Sequence, residues 1–289
     1  MPTEIHNRNV YLSLMRRSFY DKAWFMKNLP TDVKTIIDFG GGSGEFAGFC
    51  QNITGDQVNY IVIDNDPKFL SIADSKFETF ESLDSAMKNN AFNPKTTLLL
   101  LSSVIHEVYS YADVKTFWND VQTAKCKYIA IRDMTYDYVS TSGFNLGLND
   151  FKLYKMAQLI RSRLEAICPE KLKTFEETKI GIFNQKILDV DFKRPNLKNL
   201  LHFMLKYRYN ENFEREVKEN YMPLSNIELV CKLHQLGYDT SSKLTKLKFL
   251  IDTWLKELKL ENPKDEIECA AVSWIRGINT HLKCFGTLN

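Results

Sequence analysis

Val33-Lys34-Thr35-Ile36-Ile37-Asp38-Phe39-Gly40-Gly41-Gly42-Ser43-Gly44 is the stretch whose reading decides the fold. A short run rich in β-branched residues stops at an acid and a cluster of glycines, which predicts a buried strand feeding a tight turn. Glycine permits positive φ and close approach of a ligand to the backbone, and a helix starting just beyond presents free N–H groups. Glu45 to Asn52 reads as the start of that helix.

Working outward, Tyr60-Ile61-Val62-Ile63 is a second apolar run. It ends at Asp64-Asn65-Asp66-Pro67, where Pro67 suits the first helical turn and Asp66 its N-cap. Thr97 to Leu101 is apolar throughout, as a central parallel strand covered on both faces requires, and ends at Ser102-Ser103. Tyr128-Ile129-Ala130-Ile131 is a further strand, ending at Arg132-Asp133-Met134, and Glu78 to Leu83 holds room for a short one. Strands separated by helix-length stretches predict βαβ units and an α/β fold with a doubly wound, mainly parallel sheet. Polar residues gather past the carboxyl end of each strand, the edge where open α/β sheets bind ligands.

The flanks read differently. Residues 10–28 carry Tyr11, Leu14, Met15, Phe19, Trp24 and Phe25 at spacings that suit one or two helices, ended by Leu29-Pro30. Beyond residue 140, Leu153, Met156, Ile160, Leu164 and Ile167 recur at helical steps, as do Leu244, Leu247, Ile251, Trp254 and Leu258. Asn279 to Phe285 alternates as a closing strand. The expected organisation is a nucleotide-binding core with N-terminal helices (1–140), a helical insertion or lid (141–224), and C-terminal helices and strand completing the core (225–289).

The 289 residues carry a formal net charge of +2, so no global field points to nucleic acid or a membrane. Six scattered cysteines form neither a C-x-x-C pair nor a His/Cys cluster at metal spacing. They predict reduced, mostly buried thiols and no structural metal. Met1 to Arg17 lacks a signal-peptide core and the apolar runs are strand-sized, so the expectation is a cytoplasmic protein with no membrane partner.

Two nucleotide cofactors use such a turn. Gly42-Ser43-Gly44-Glu45-Phe46-Ala47 satisfies the dinucleotide pattern G-x-G-x-x-G/A, whereas Asp38 followed by Gly40-Gly41-Gly42-Ser43-Gly44 is an acid ahead of G-x-G-x-G. A carboxylate at the strand end repels a pyrophosphate but favours the sulfonium and ammonium of S-adenosylmethionine. Asp64, 20 residues after Gly44, suits the ribose hydroxyls in either case.

On these residues the chain resembles the class I (Rossmann-like) S-adenosylmethionine-dependent methyltransferases, over roughly residues 33–134 plus the C-terminal strand. The resemblance implies that Asp38, Gly40, Gly42 and Gly44 hold the methionine end and Asp64 the ribose, with Gly41, Asn65, Ser102 and Ser103 lining the same cofactor edge. Leu98 to Glu107 is similar to the family's fourth-strand segment beside the transferable methyl, Tyr128 to Met134 to its fifth strand, and Leu233 to Tyr238 to the helix end before its last two strands. The family's third-strand acid, which contacts the adenine, has only Glu81 or Asp84 as counterparts here. Residues 140–224 have no counterpart in the minimal fold.

His106 and Glu107, just past the fourth strand, are the candidates for proton removal or acceptor positioning, since a near-neutral histidine suits general base work. No [D/N]-P-P-[Y/F/W] motif follows that strand, which argues against the usual amino methylation of adenine or cytosine, and no Pro-Cys pair marks a C5-cytosine nucleophile. The aromatic-basic segment Asn196–Tyr221, with Lys198, His202, Lys206, Tyr207, Arg208, Tyr209, Phe213 and Arg215, offers either a nucleic-acid stacking platform or a packed helix; its four glutamates and its leucines favour packing. The expectation is a methyltransferase with a small or medium-sized acceptor. RNA or other nucleic-acid methylation and non-catalytic S-adenosylmethionine binding are the alternatives.

Overall fold

Each apolar run becomes a strand, and the register between them brings the polar strand ends to one edge. The computed structural model describes residues 16–73, 75–137, 141, 147–181, 183–188, 195–210 and 212–289. They divide into two compact units. One takes the described residues up to Asp133 with Ile227–Lys243 and Leu282–Asn289; the other takes those of Met134–Asn226 with Leu244–His281.

The first unit carries the sheet: β1 (Thr35–Phe39), β2 (Asn59–Ile63), β3 (Glu78–Phe80), β4 (Thr97–Ser102), β5 (Tyr128–Met134), β6 (Tyr238–Thr245) and β7 (His281–Leu288). Their order across the sheet is β3-β2-β1-β4-β5-β7-β6. β1 pairs in parallel with β2 and β4, β2 with β3, and β4 with β5. β7 runs antiparallel to β5: the Leu288 N–H bonds the Lys127 carbonyl while Gly286 lies against Ile129. The sequence expectation of a doubly wound, mainly parallel sheet holds.

Six helices of this unit matter to the site: α1 (Phe19–Lys22), α2 (Glu45–Thr54), α3 (Pro67–Ala73), α4 (Leu83–Lys88), α5 (Ile105–Tyr111) and α6 (Val114–Ala124). Side chains alternate between the faces of a strand, so β1, β2, β4 and β5 need apolar residues in both parities. Ile36, Val62, Leu98, Leu100 and Ala130 pack in one buried cluster with Phe46, Ala47 and Cys50 of α2. Ile37, Ile61, Ile63, Leu99, Leu101 and Ile131, of the other parity, are buried as well, and Phe39 meets Phe117 of α6 at 5.3 Å between ring centroids. Each fully buried side chain of this kind is worth about 1.5–3 kcal/mol.

Some expectations need correction. Over residues 10–28 a short helix and a 3-10 turn (Ala23–Asn28) occur; residues 10–15 lie outside the described residues. The periodicity read from Leu244 begins later: Leu244 belongs to β6, and the helix spans Lys248–Glu257. Leu244 happens to sit one helical step before Leu247, and pairing with the closing strand decides against that local pattern. Cys50, Cys126 and Cys284 are buried, Cys168 is half-buried, and Cys231 and Cys269 are exposed, so the thiols are less covered than expected. Among the described residues no helix is long and apolar enough to cross a membrane.

The second unit is mainly helical, with a two-stranded ribbon at Lys179–Ile180 and Phe183–Asn184. Helices Asp150–Ile167, Pro169–Glu177, Leu197–Lys206, Lys248–Glu257 and Glu266–Gly277 bury one cluster that includes Met156, Ile160, Phe175, Phe203, Trp254 and Trp274. The aromatic-basic segment turns inward: His202, Lys206, Tyr207, Phe213, Arg215 and Tyr221 are all buried. Its charges are met internally. Arg215 pairs with Glu219 at 3.0 Å, Lys206 donates to the Glu219 carbonyl and lies over the Tyr221 ring, and Tyr221 donates to Glu216. Burial pulls the Lys206 ammonium down to about 7, against the opposing attraction of Glu219 and Glu216.

Candidate functional site

The carboxyl end of β1 is where the backbone turns most tightly. The N–H groups of Gly40 and Gly41 both donate to the Ile63 carbonyl, at 2.7 and 3.1 Å, which holds the turn against the end of β2. Gly40 has φ +72, and a Cβ there would stand 2.5 Å from Val104 Cγ2, so both the conformation and the space demand glycine. Gly42, at φ +56, differs in facing open space, with nothing within 4 Å of where a Cβ would be. Gly44 caps α2 in the left-handed region with no side-chain cap, so the first N–H groups of that helix are not met by a capping side chain.

Two acids flank the turn. Asp64, just past β2, accepts the Gly42 N–H at 2.9 Å through Oδ2 and the Asp66 N–H at 2.9 Å through Oδ1. Each oxygen keeps acceptor capacity beyond that single bond. Burial raises its pKa, and these two N–H bonds oppose the shift. Asp38 is only 3% exposed, and its Oδ2 has no hydrogen-bond partner. Burial pushes its carboxyl up to about 7; Lys22 opposes the rise and Asp64 adds to it. The neighbouring Ser43 Oγ is also buried and without a partner.

The ends of β4 and β5 form the other half of the edge. Asp133 Oδ1 lies 2.8 Å from His106 Nδ1, while Oδ2 accepts the Ile105 N–H at 2.6 Å and the His106 N–H at 3.4 Å. One carboxylate therefore caps the start of α5 and orients the imidazole. Both residues are buried, at 1% and 5% exposure. An ionised Asp133 requires Nδ1 to donate, which fixes Nε2 as the nitrogen that bears the lone pair. Ser102 Oγ is buried and has no partner, whereas Ser103, at φ +60, accepts from Arg132 Nη1 at 2.9 Å. Glu107 is half-buried and its charge acts on both Lys22 and Asp64.

The parallel register thus brings Asp38, Gly40, Gly41, Gly42, Gly44, Asp64, Ser102, Ser103, His106 and Glu107 to one sheet edge within the first unit. Asn65 follows Asp64 but is exposed. Of the two acids considered for the adenine, Glu81 is exposed just past β3, and Asp84, on α4, is engaged by Lys88 at 2.6 Å. Sequence reasoning missed Asp133 and Lys22. Asp133 carried a signal, an acid at a strand end like Asp38 and Asp64. Lys22 carried a weaker one, a lysine three residues from Phe19 on the buried face of α1.

No protein-family model and no curated protein sequence matches the chain. Solved structures do match it. The plantazolicin methyltransferase BamL, in complex with a triazolic desmethylPZN analog and SAH, aligns with a TM-score of 0.50 at 10% identity, over 98% of this chain and 92% of that one. A SAM-dependent methyltransferase from Archaeoglobus fulgidus aligns at 0.47 and 12% identity, over 96% and 99% of the two chains. Geranyl diphosphate C-methyltransferase from Streptomyces coelicolor A3(2) aligns at 0.48 and 10%, over 100% and 88%. The chain has the class I methyltransferase fold.

Proposed function

We propose that this chain is an S-adenosylmethionine-dependent methyltransferase acting on a small or medium-sized acceptor. The observation that carries the reading is Asp38, a buried carboxylate with an unpartnered oxygen at the mouth of the glycine turn. Such a group repels a pyrophosphate and attracts the ammonium of an amino-acid tail. Asp64 fits the ribose end, since each of its oxygens retains room for a hydroxyl while Gly42 and Asp66 hold the carboxylate in place. Charge-assisted bonds of this kind are each worth about 1.5–3 kcal/mol.

Bound S-adenosylmethionine supplies an electrophilic methyl group on a sulfonium. The protein's part is to place an acceptor in line with it and to take up the proton that the acceptor releases. His106 is suited to the proton, because Asp133 fixes its tautomer with Nε2 as base and stabilises the imidazolium that forms. This assignment favours an acceptor with a removable proton on oxygen or nitrogen. The inward-turned residues of the aromatic-basic segment favour a small acceptor: buried His202, Lys206, Tyr207 and Phe213 cannot stack bases or neutralise phosphates.

The test is incubation with methyl-labelled S-adenosylmethionine and cell extract separated by size. Label is expected in a low-mass fraction. Label found only in RNA, or no transfer to any fraction, contradicts the proposal.

A further inference from the structure

β4 ends in a corner that turns the chain into α5, and His106 is the second residue of that helix. Ser103 makes the corner at φ +60, a left-handed conformation that a residue with a Cβ keeps only where its surroundings fix it. Its N–H donates to the Arg132 carbonyl at 2.7 Å, and its Oγ accepts from Arg132 Nη1 at 2.9 Å. One residue of β5 thus grips both the backbone and the side chain of Ser103. Val104 follows; it lies against Gly40 of the glycine turn and gives α5 no side-chain cap. Asp133 supplies that cap instead, through the Ile105 and His106 N–H groups, and holds His106 Nδ1 as well.

Arg132 and Asp133 are consecutive in β5, so their side chains leave opposite faces of the strand and take the corner from two sides. Arg132 is 4% exposed, and a guanidinium so buried requires a counter-charge. Asp21 of α1 provides it. Asp21 Oδ2 accepts from Arg132 Nε at 2.9 Å and pairs with Nη2 at 2.8 Å, while Lys283 of β7 donates to Oδ1. α1 is a single turn, but it is fastened to α2: Phe19 packs on Phe46 and Phe49 at 5.3 and 5.5 Å between ring centroids, and Arg16 makes two bonds of 2.9 Å to Glu45. An ion pair serving stability alone would need only Nε and Nη2. The remaining arm, Nη1, goes to the residue whose backbone is strained.

We infer that Arg132 is a positioning residue for His106: it holds Ser103 in the left-handed conformation that turns β4 into α5, and Asp21 of α1 holds Arg132 in place to do so. This rests on the reading of His106 as the base, proposed above. A base displaced by about 1 Å loses up to about a hundredfold in rate, so a relaxed corner shows in turnover before it shows in folding. Glycine adopts positive φ without being held. Glycine at position 103 therefore replaces what Arg132 supplies, and alanine does not.

The test compares Arg132→Gln, Ser103→Ala, Ser103→Gly and the double variant Arg132→Gln with Ser103→Gly. Two quantities are read: the initial rate of label transfer from methyl-labelled S-adenosylmethionine, at saturation, to the low-mass extract fraction, and the His106 tautomer from proton–nitrogen correlation spectra of the imidazole. The wild type should show one tautomer, protonated at Nδ1. Arg132→Gln and Ser103→Ala should each lower the rate about tenfold and mix the tautomers. Adding Ser103→Gly to Arg132→Gln should restore most of the rate and the single tautomer, and Ser103→Gly alone should be faster than Ser103→Ala. A double variant no better than Arg132→Gln, at equal melting temperature, overturns the inference, as do equal rates for Ser103→Ala and Ser103→Gly. If Arg132→Gln does not fold, the comparison at position 103 decides alone. If the wild type transfers no label, the cofactor reading fails, and the imidazole spectra decide the positioning role by themselves: one unchanged tautomer in every variant overturns it.

Discussion

Both units bury charges, and they finish the job differently. In the helical unit Arg215, Glu219, Lys206, Glu216 and Tyr221 meet one another through ion pairs, hydrogen bonds and a ring contact. At the sheet edge Asp38 Oδ2, Ser43 Oγ and Ser102 Oγ are buried with no partner. The contrast is not perfect, since Arg215 Nε within that network and the amide oxygen of Gln185, in the same unit, are buried with no hydrogen-bond partner. A closed network stabilises its surroundings and is costly to break. An open one is tolerated where a ligand completes it. Substitutions in the two regions should therefore separate stability from binding.

The largest effect is expected in the closed network. Arg215→Met removes the guanidinium that pairs with Glu219, 2% exposed, at 3.0 Å, which should cost about 3–5 kcal/mol by chemical denaturation. A loss below about 1 kcal/mol would mean that the network is not closed by this pair.

Asp38 should behave in the opposite sense. Its folded pKa, raised to about 7 from 3.8, means that the native state holds a proton which the unfolded chain has lost between those values. Stability of the ligand-free protein therefore falls as pH rises from about 4 to 7, by up to about 4 kcal/mol at 1.36 kcal/mol per unit. Asp38→Asn should remove most of that fall in a series of melting temperatures while weakening S-adenosylhomocysteine. The same pH slope in the variant would contradict the burial argument.

Two smaller effects belong to chemistry and binding. His106→Ala should lower methyl transfer by about a hundredfold, with cofactor affinity changed little. Unaltered turnover would remove the general base. Asp64→Ala should weaken S-adenosylhomocysteine about tenfold or more in calorimetry, and unchanged affinity would remove the ribose assignment.

What was legible in the sequence is what local pattern decides. The β-branched run before Gly40, the all-apolar β4 and the Asp66-Pro67 helix start each follow from neighbours in the chain; Asp66 Oδ1 indeed accepts the Lys68 N–H at 2.8 Å. Residues whose role depends on distant partners were not legible. Asp133 meets His106 from 27 positions away, and Arg132 is matched by Asp21 from 111. Lys22 is buried with Phe19 on the face of α1 whose Phe19 packs on Phe46 of α2, a contact that no local pattern announces. Leu244 shows the converse failure, a helical spacing overruled by strand pairing. The inward turn of Lys206 and Arg215 was only half legible, because an i,i+4 pair such as Arg215–Glu219 can serve a solvated face as well as a buried one.

The central claim is that the turn between Asp38 and Asp64 holds an adenosyl amino acid. Titration of the wild-type protein with S-adenosylhomocysteine and, separately, with NAD by calorimetry tests it most directly. Saturable binding of S-adenosylhomocysteine at one site per chain, with no heat from NAD, is the expected result. Binding of NAD with none of S-adenosylhomocysteine would contradict the account at its first strand.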